Sequence, residues 1–133
     1  MKYLLDTHTF IWALVDQDKL PSKVMNIIED TDNDVFLSSI SFWEIAIKHQ
    51  IGKMDLSPYD IRHLPNLANQ MMINVISPDA IDYINYSDLP LKPNHHDPFD
   101  RMLIHTAIRN NYVLLSKDEK FLQYQKDGLQ LVW

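Results

Sequence analysis

Short apolar runs and stretches of helical spacing alternate along the chain. Lys2 to Leu5 is a compact apolar run of the kind that forms a buried strand, and Asp34 to Ser38, with Val35-Phe36-Leu37 at its centre, is a second. Ile73 to Ile76, Tyr112 to Leu115 and Leu129 to Trp133 supply three more, the last expected at a sheet edge. Helical patterns lie between them. Phe10 to Val15 is the first, and Val24, Met25, Ile27 and Ile28 form the next behind Pro21. Ser41 to Ile51 follows, closed by Gly52 just past its end. Leu64, Leu67, Ala68 and Met71 fall at i, i+3, i+4 and i+7. Pro78 to Ile84, Pro98 to Asn110 and Phe121 to Tyr124 complete the set, while Tyr86 to Asp97 carries three turn signals and reads as a loop.

Strands separated by helices imply right-handed crossovers. The expected fold is therefore α/β: a three-layer α/β/α sandwich around a mostly parallel sheet, in a single domain over residues 1–133. In such folds ligands bind beyond the carboxyl ends of the strands. Functional side chains are thus expected just after strands rather than inside helices.

Composition narrows the chemistry. The only glycines are Gly52 and Gly128, which removes Gly-rich phosphate loops and dinucleotide-binding turns. The absence of cysteine removes disulfides and thiolate metal sites. The longest purely apolar run, Phe10 to Val15, is far short of the ~20 residues that span a bilayer, and Asp6 interrupts the apolar start that a signal peptide would need. A soluble protein of the cytoplasm, with no membrane association, is the expectation. The net charge of −6 argues against broad phosphate neutralisation as a way of holding nucleic acid. Any such attraction must come from bound cations or a local basic strip, unless the chain docks an oppositely charged protein.

Acidic residues stand at four places where a strand is expected to end or a helix to begin. Asp6 follows the first strand, and a cap of the first helix would explain it. Ser41-Phe42-Trp43-Glu44 fits a capping box, with Ser41 at the N-cap and Glu44 at N3. In Asp97-Pro98-Phe99-Asp100, capping explains Asp97 well and Asp100 less well. Asp118, in Ser116-Lys117-Asp118, would cap the short helix around Phe121. Each cap is reasonable alone, but capping does not require an acid at every site. Four carboxylates converging on one sheet edge repel unless a cation sits among them. An all-oxygen set points to Mg²⁺ or Mn²⁺ rather than zinc.

Leu4-Leu5-Asp6-Thr7-His8, Ser41 to Lys48, His96 to Ile104 and Leu114 to Asp118, in this order, resemble the PIN-domain nucleases, in particular the VapC toxins of bacterial type II toxin–antitoxin pairs. The resemblance covers essentially the whole chain, and the His96–Ile104 piece is its most specific part. It implies that Asp6, Glu44, Asp100 and Asp118 are the catalytic, metal-binding acids, with Asp97, Thr7 and Ser116 in support. It implies a Mg²⁺-dependent endoribonuclease (Mn²⁺ as the alternative ion) whose products carry a 5′-phosphate and a 3′-hydroxyl. It also implies a small antitoxin that blocks the site. His105 stands where the family usually carries a small residue, which leaves the choice of substrate less determined than the chemistry.

Arg101 and Lys117 adjoin these acids and are the candidate contacts to RNA phosphate. His95 and His96 are adjacent and cannot both face one ion from a regular element, so loop or supporting roles are expected. His8 is expected in a turn, with a place in the pocket lining as the alternative, and His49, His63 and His105 at ordinary helix positions. Phe10, Trp12, Phe42 and Trp43 are a heavy aromatic load for short helices; most are expected in the core and the rest at an interface, with a homodimer as the consequence. Two rival readings remain open. One is a phosphatase or phosphotransferase with Asp6 as nucleophile, although His8 stands where a second acid is wanted. The other is a non-catalytic module whose acidic groove binds a basic tail.

Overall fold

The computed structural model describes residues 1–133 and is built on a five-stranded sheet in which every neighbouring pair is parallel. The strands are β1 (Lys2–Leu5), β2 (Asp34–Ser38), β3 (Asn74–Ile76), β4 (Val113–Leu115) and β5 (Gln130–Val132), arranged β3-β2-β1-β4-β5. The helices are α1 (Thr7–Val15), α2 (Ser22–Glu29), α3 (Ser39–Gln50), α4 (Leu64–Gln70), α5 (Ala80–Asn85) and α6 (Pro98–Asn110), with a longer 3₁₀ segment at Glu119–Asp127. The chain builds outward from β1 to β3, then returns to the other side of β1 for β4 and β5. The order reverses between β1 and β4, and a crevice opens beyond the carboxyl ends of such a pair.

Side chains alternate across the strands and fill two apolar layers. Tyr3, Leu5, Val35, Leu37, Val113 and Leu115 face one side and pack with Phe10 of α1, Val24 of α2, Ile45 of α3 and Leu64 of α4. Leu4 and Leu114 face the other side, against Leu103, Ile104 and Ala107 of α6 and Phe121 and Tyr124 of the 3₁₀ segment. Burying one such side chain is worth about 1.5–3 kcal/mol. β1 and β4 are apolar on both faces, so the residues that follow them are held by the most buried part of the sheet. No helix is long and apolar enough to cross a membrane.

Several elements differ in extent from their sequence pattern. α1 starts at Thr7, immediately after β1, rather than at Phe10. α5 is capped by Asp79 in a reciprocal capping box with Asp82. The Tyr86–Asp97 stretch contains a 3₁₀ turn at Tyr86–Asp88 and a bridge between Lys92 and His95. Gly52 closes α3 as expected: its φ is 75°, and Lys53 N–H reaches back to the Lys48 carbonyl at 2.8 Å.

The capping box at Ser41 and Glu44 does not exist. Ser38 is the N-cap of α3, with extended backbone and its Oγ accepting from Ile40 N at 3.3 Å. Of the serines near that start, the one at the strand exit already has the backbone a cap needs, so the helix begins there. Ser41 is left inside α3 and buried, sharing a hydrogen bond with Thr7 Oγ1 at 2.8 Å.

Candidate metal centre

A groove of about 400 Å³ opens at the β1–β4 switch point, and five carboxylates line it: Asp6, Glu44, Asp97, Asp100 and Asp118. Asp6 leaves the end of β1 with its backbone N–H bonded to the Leu115 carbonyl of β4 at 3.1 Å. It occupies the N-cap position of α1, yet its side chain caps nothing. Its Oδ2 instead accepts from Ser116 Oγ at 2.8 Å, and the same Oγ accepts from Asp118 N–H at 3.1 Å. Thr9 Oγ1 donates to the Leu115 carbonyl at 2.7 Å and Thr7 ties α1 to α3 through Ser41, which fixes the entry of α1 against its neighbours. Ser116 thus touches Asp6 and Asp118 directly, whereas the Thr7 hydroxyl bonds only to Ser41.

Glu44 and Asp100 do not follow strands. Glu44 lies in the second turn of α3, buried, with Oε2 accepting from Lys48 Nζ at 3.0 Å and Oε1 buried without a partner. Asp100 lies in the first turn of α6, after a loop. The expectation that site residues avoid helices fails for both, because the starts of α3 and α6 converge on the same crevice. Asp97 and Asp118 do cap helical segments, through bonds to Phe99 N and Asp100 N and to Lys120 N. One carboxylate oxygen suffices for each cap, and both residues still line the groove. One oxygen each from Glu44, Asp97 and Asp100 lie within 4.8 Å of one another, so Asp97 belongs to the tightest trio.

Crowding and burial leave their mark on two of the acids. Burial, then the neighbouring Asp6, Asp97, Glu44 and Asp118, raise Asp100 from 3.8 to about 8. Burial also raises Asp6 to about 6, against the pull of its bond from Ser116, with a smaller contribution from Glu44. A divalent cation answers these features: it would neutralise the repulsion and give the orphaned Glu44 Oε1 a partner. The donor set is carboxylate oxygen throughout, which suits Mg²⁺ or Mn²⁺.

Two expectations need correction. Arg101 does not reach the groove. It is buried, and its guanidinium donates to the Leu89 and Pro90 carbonyls and to the hydroxyls of Tyr86 and Tyr124 at 2.9–3.1 Å. One residue along a helix is a turn of about 100°, which sends Arg101 away from Asp100. His105 is a helix position in α6 and lines a separate pocket with Asp88, Pro90 and Arg109. His8, expected in a turn, is part of α1 and lines the groove, in ring contact with Trp12 at 5.8 Å. Lys117 is exposed on the groove wall, 5.8 Å from the Trp12 ring. Sequence reasoning missed Lys48, although it stands at i+4 from Glu44 and so on the same helix face. Of the aromatic load, Phe10 is fully buried, whereas Trp43 is 63% exposed and packs edge-on against Phe99.

The chain is similar to known proteins over nearly its full length. Ribonuclease VapC22 of Mycobacterium tuberculosis is 26% identical over 132 residues, covering 98% of this chain and 97% of that protein. The fold is similar to a Rickettsia felis VapBC2 structure bound to a DNA fragment from its promoter, with TM-score 0.69, 20% identity and coverage of 99% of this chain and 98% of the other. It is also similar to VapBC-1 of nontypeable Haemophilus influenzae, with TM-score 0.67, 22% identity and coverage of 99% and 97%. The PIN domain family model matches residues 3–127, through both sides of the sheet and all five groove acids, and the chain belongs to the PIN domain family.

Proposed function

We propose that this protein is a divalent-metal-dependent endoribonuclease and the toxin half of a VapC-type toxin–antitoxin pair. The observation that carries the reading is the five-carboxylate groove at the switch point, with Asp100 held at about 8 and Glu44 Oε1 buried without a partner. Glu44, Asp97 and Asp100 would hold the ion, with Asp6 and Asp118 completing the acidic wall. When bound, Mg²⁺ or Mn²⁺ supplies a lowered water pKa and neutralises charge that builds on the phosphate. The chain's own groups do the positioning. Ser116 fixes the Asp6 carboxylate and aligns Asp118 through its backbone. Lys48 and Lys117 stand at the rim, where an RNA phosphate would meet positive charge before the acids.

The similarity to a ribonuclease and to VapBC structures supports an RNA substrate and a small antitoxin partner. An antitoxin carrying Arg or Lys on the segment that enters the groove would be drawn to five acids and would block the metal. The test is incubation of the purified protein with tRNA and rRNA, with Mg²⁺ and with EDTA, beside Glu44→Gln. Cleavage with 5′-phosphate ends that EDTA and the variant both abolish supports the reading. A folded protein that binds the ion and leaves every RNA intact overturns it.

A further inference from the structure

Behind Asp100 lies a buried chain of polar groups that the proposed chemistry does not use directly. Arg101 Nη1 donates to the Tyr124 hydroxyl at 2.9 Å, the Tyr124 hydroxyl meets His95 Nδ1 at 2.8 Å, and His95 Nε2 meets Asp100 Oδ2 at 3.3 Å. Tyr124 is fully buried and His95 is 4% exposed, so water does not substitute for these partners. One direction satisfies every donor in the chain. A guanidinium only donates, so the Tyr124 oxygen accepts from Arg101. The single Tyr124 proton then has His95 Nδ1 as its one remaining partner. With Nδ1 accepting, the ring of neutral His95 carries its proton on Nε2 and presents it to Asp100.

We infer that His95 is a positioning residue, locked by Tyr124 and Arg101 in the Nε2–H tautomer so that it holds Oδ2 of Asp100 and leaves the other carboxylate oxygen directed at the ion. The Phe121 and Tyr124 rings pack edge-on against the imidazole at 5.5 and 5.4 Å and fix its plane. Arg101 is itself anchored on the Leu89 and Pro90 carbonyls and the Tyr86 hydroxyl, so a residue beside a site acid acts on the site through its neighbours. Partners that orient ligands in this way typically account for a 10–100-fold effect on metal affinity or activity.

The inference rests on the metal-site reading, and two measurements separate their failures. The first is ¹⁵N NMR of the His95 ring in the metal-free wild-type protein. The expected result is a protonated Nε2 and an unprotonated Nδ1; an Nδ1–H tautomer overturns the inference whether or not metal binds. The second is Mn²⁺ affinity of wild type, His95→Asn, His95→Gln and Tyr124→Phe. Gln places its amide near the Nε2 position and can still donate to Asp100, whereas the shorter Asn reaches only toward Tyr124. Affinity should fall by roughly 10-fold or more in His95→Asn and Tyr124→Phe and stay within about threefold of wild type in His95→Gln. Equal affinity in all four overturns the positioning role. A wild type that shows the Nε2–H tautomer and no Mn²⁺ binding overturns the metal-site reading and, with it, this role.

Discussion

Asp100→Asn should make the metal-free protein more stable, and the size of the gain should depend on pH. In the fold Asp100 stands at about 8, against 3.8 for an ordinary aspartate. Between about pH 4 and pH 8 the folded protein keeps a proton that the unfolded chain has released, so stability falls as pH rises through that window. At 1.36 kcal/mol per pH unit above 3.8, holding the proton costs about 4 kcal/mol at pH 7 and ~1.6 kcal/mol at pH 5. A direct Coulomb argument gives the same scale. Two charged carboxylate oxygens within 4.8 Å of each other, as in the Glu44–Asp97–Asp100 trio, repel by about 3.5 kcal/mol or more at an effective dielectric of ~20. Asn is neutral in both states, so no proton has to be held, and it keeps an oxygen that can accept from His95. The variant should therefore gain about 2–4 kcal/mol in EDTA at pH 7, or roughly 10 °C in melting temperature for a chain of this size. The gain should shrink to about 1–2 kcal/mol at pH 5. Divalent metal should narrow the gap: at ~100 times its dissociation constant it adds about 2.7 kcal/mol to the wild type and less to the variant. The assay is thermal unfolding of both proteins at pH 5 and 7, with EDTA and with Mn²⁺. A variant that melts below wild type in EDTA at pH 7, or an advantage that does not grow between pH 5 and 7, refutes the reasoning.

On the proposed function, Asp6→Asn and Glu44→Gln should each keep the fold and lose RNA cleavage by on the order of 100-fold or more, read in single-turnover assays, because a group facing the ion or its water would carry several kcal/mol of transition-state stabilisation. Arg101→Ala should lower stability by about 3–5 kcal/mol in urea unfolding, since the Leu89 and Pro90 carbonyls lose their buried donor. Lys117→Ala should leave the melting temperature unchanged and raise the KM for RNA a few-fold, the opposite pattern from Arg101→Ala, because Lys117 is exposed on the groove wall.

Much of this arrangement is legible in the sequence, and the residues that were misread share physical causes. The apolar runs locate all five strands because a parallel sheet covered on both faces needs continuous burial. With β1 and β4 placed, Asp6 and Asp118 follow. Glu44 resembles a cap because serines 38, 39 and 41 crowd the start of α3, and only the backbone decides which one ends the strand. For Asp97 a cap and a place in the groove look like rivals in sequence, yet one carboxylate oxygen makes both cap bonds and the other is left free of them. Arg101 follows a site acid in sequence, and helical rotation carries it to Tyr86 and Tyr124. The His95–Tyr124 pair spans 29 residues and carries no spacing signal, so only the fold reveals it.

The central claim is that this groove holds a divalent ion with which the chain cuts RNA. The most direct measurement is a Mn²⁺ titration of the metal-stripped protein in which bound ion and RNA cleavage are read from the same samples. The account predicts no cleavage without ion, activity rising in proportion to occupancy, and loss of both in Glu44→Gln. Cleavage that persists in EDTA, or that is unrelated to the fraction of protein carrying the ion, would contradict it.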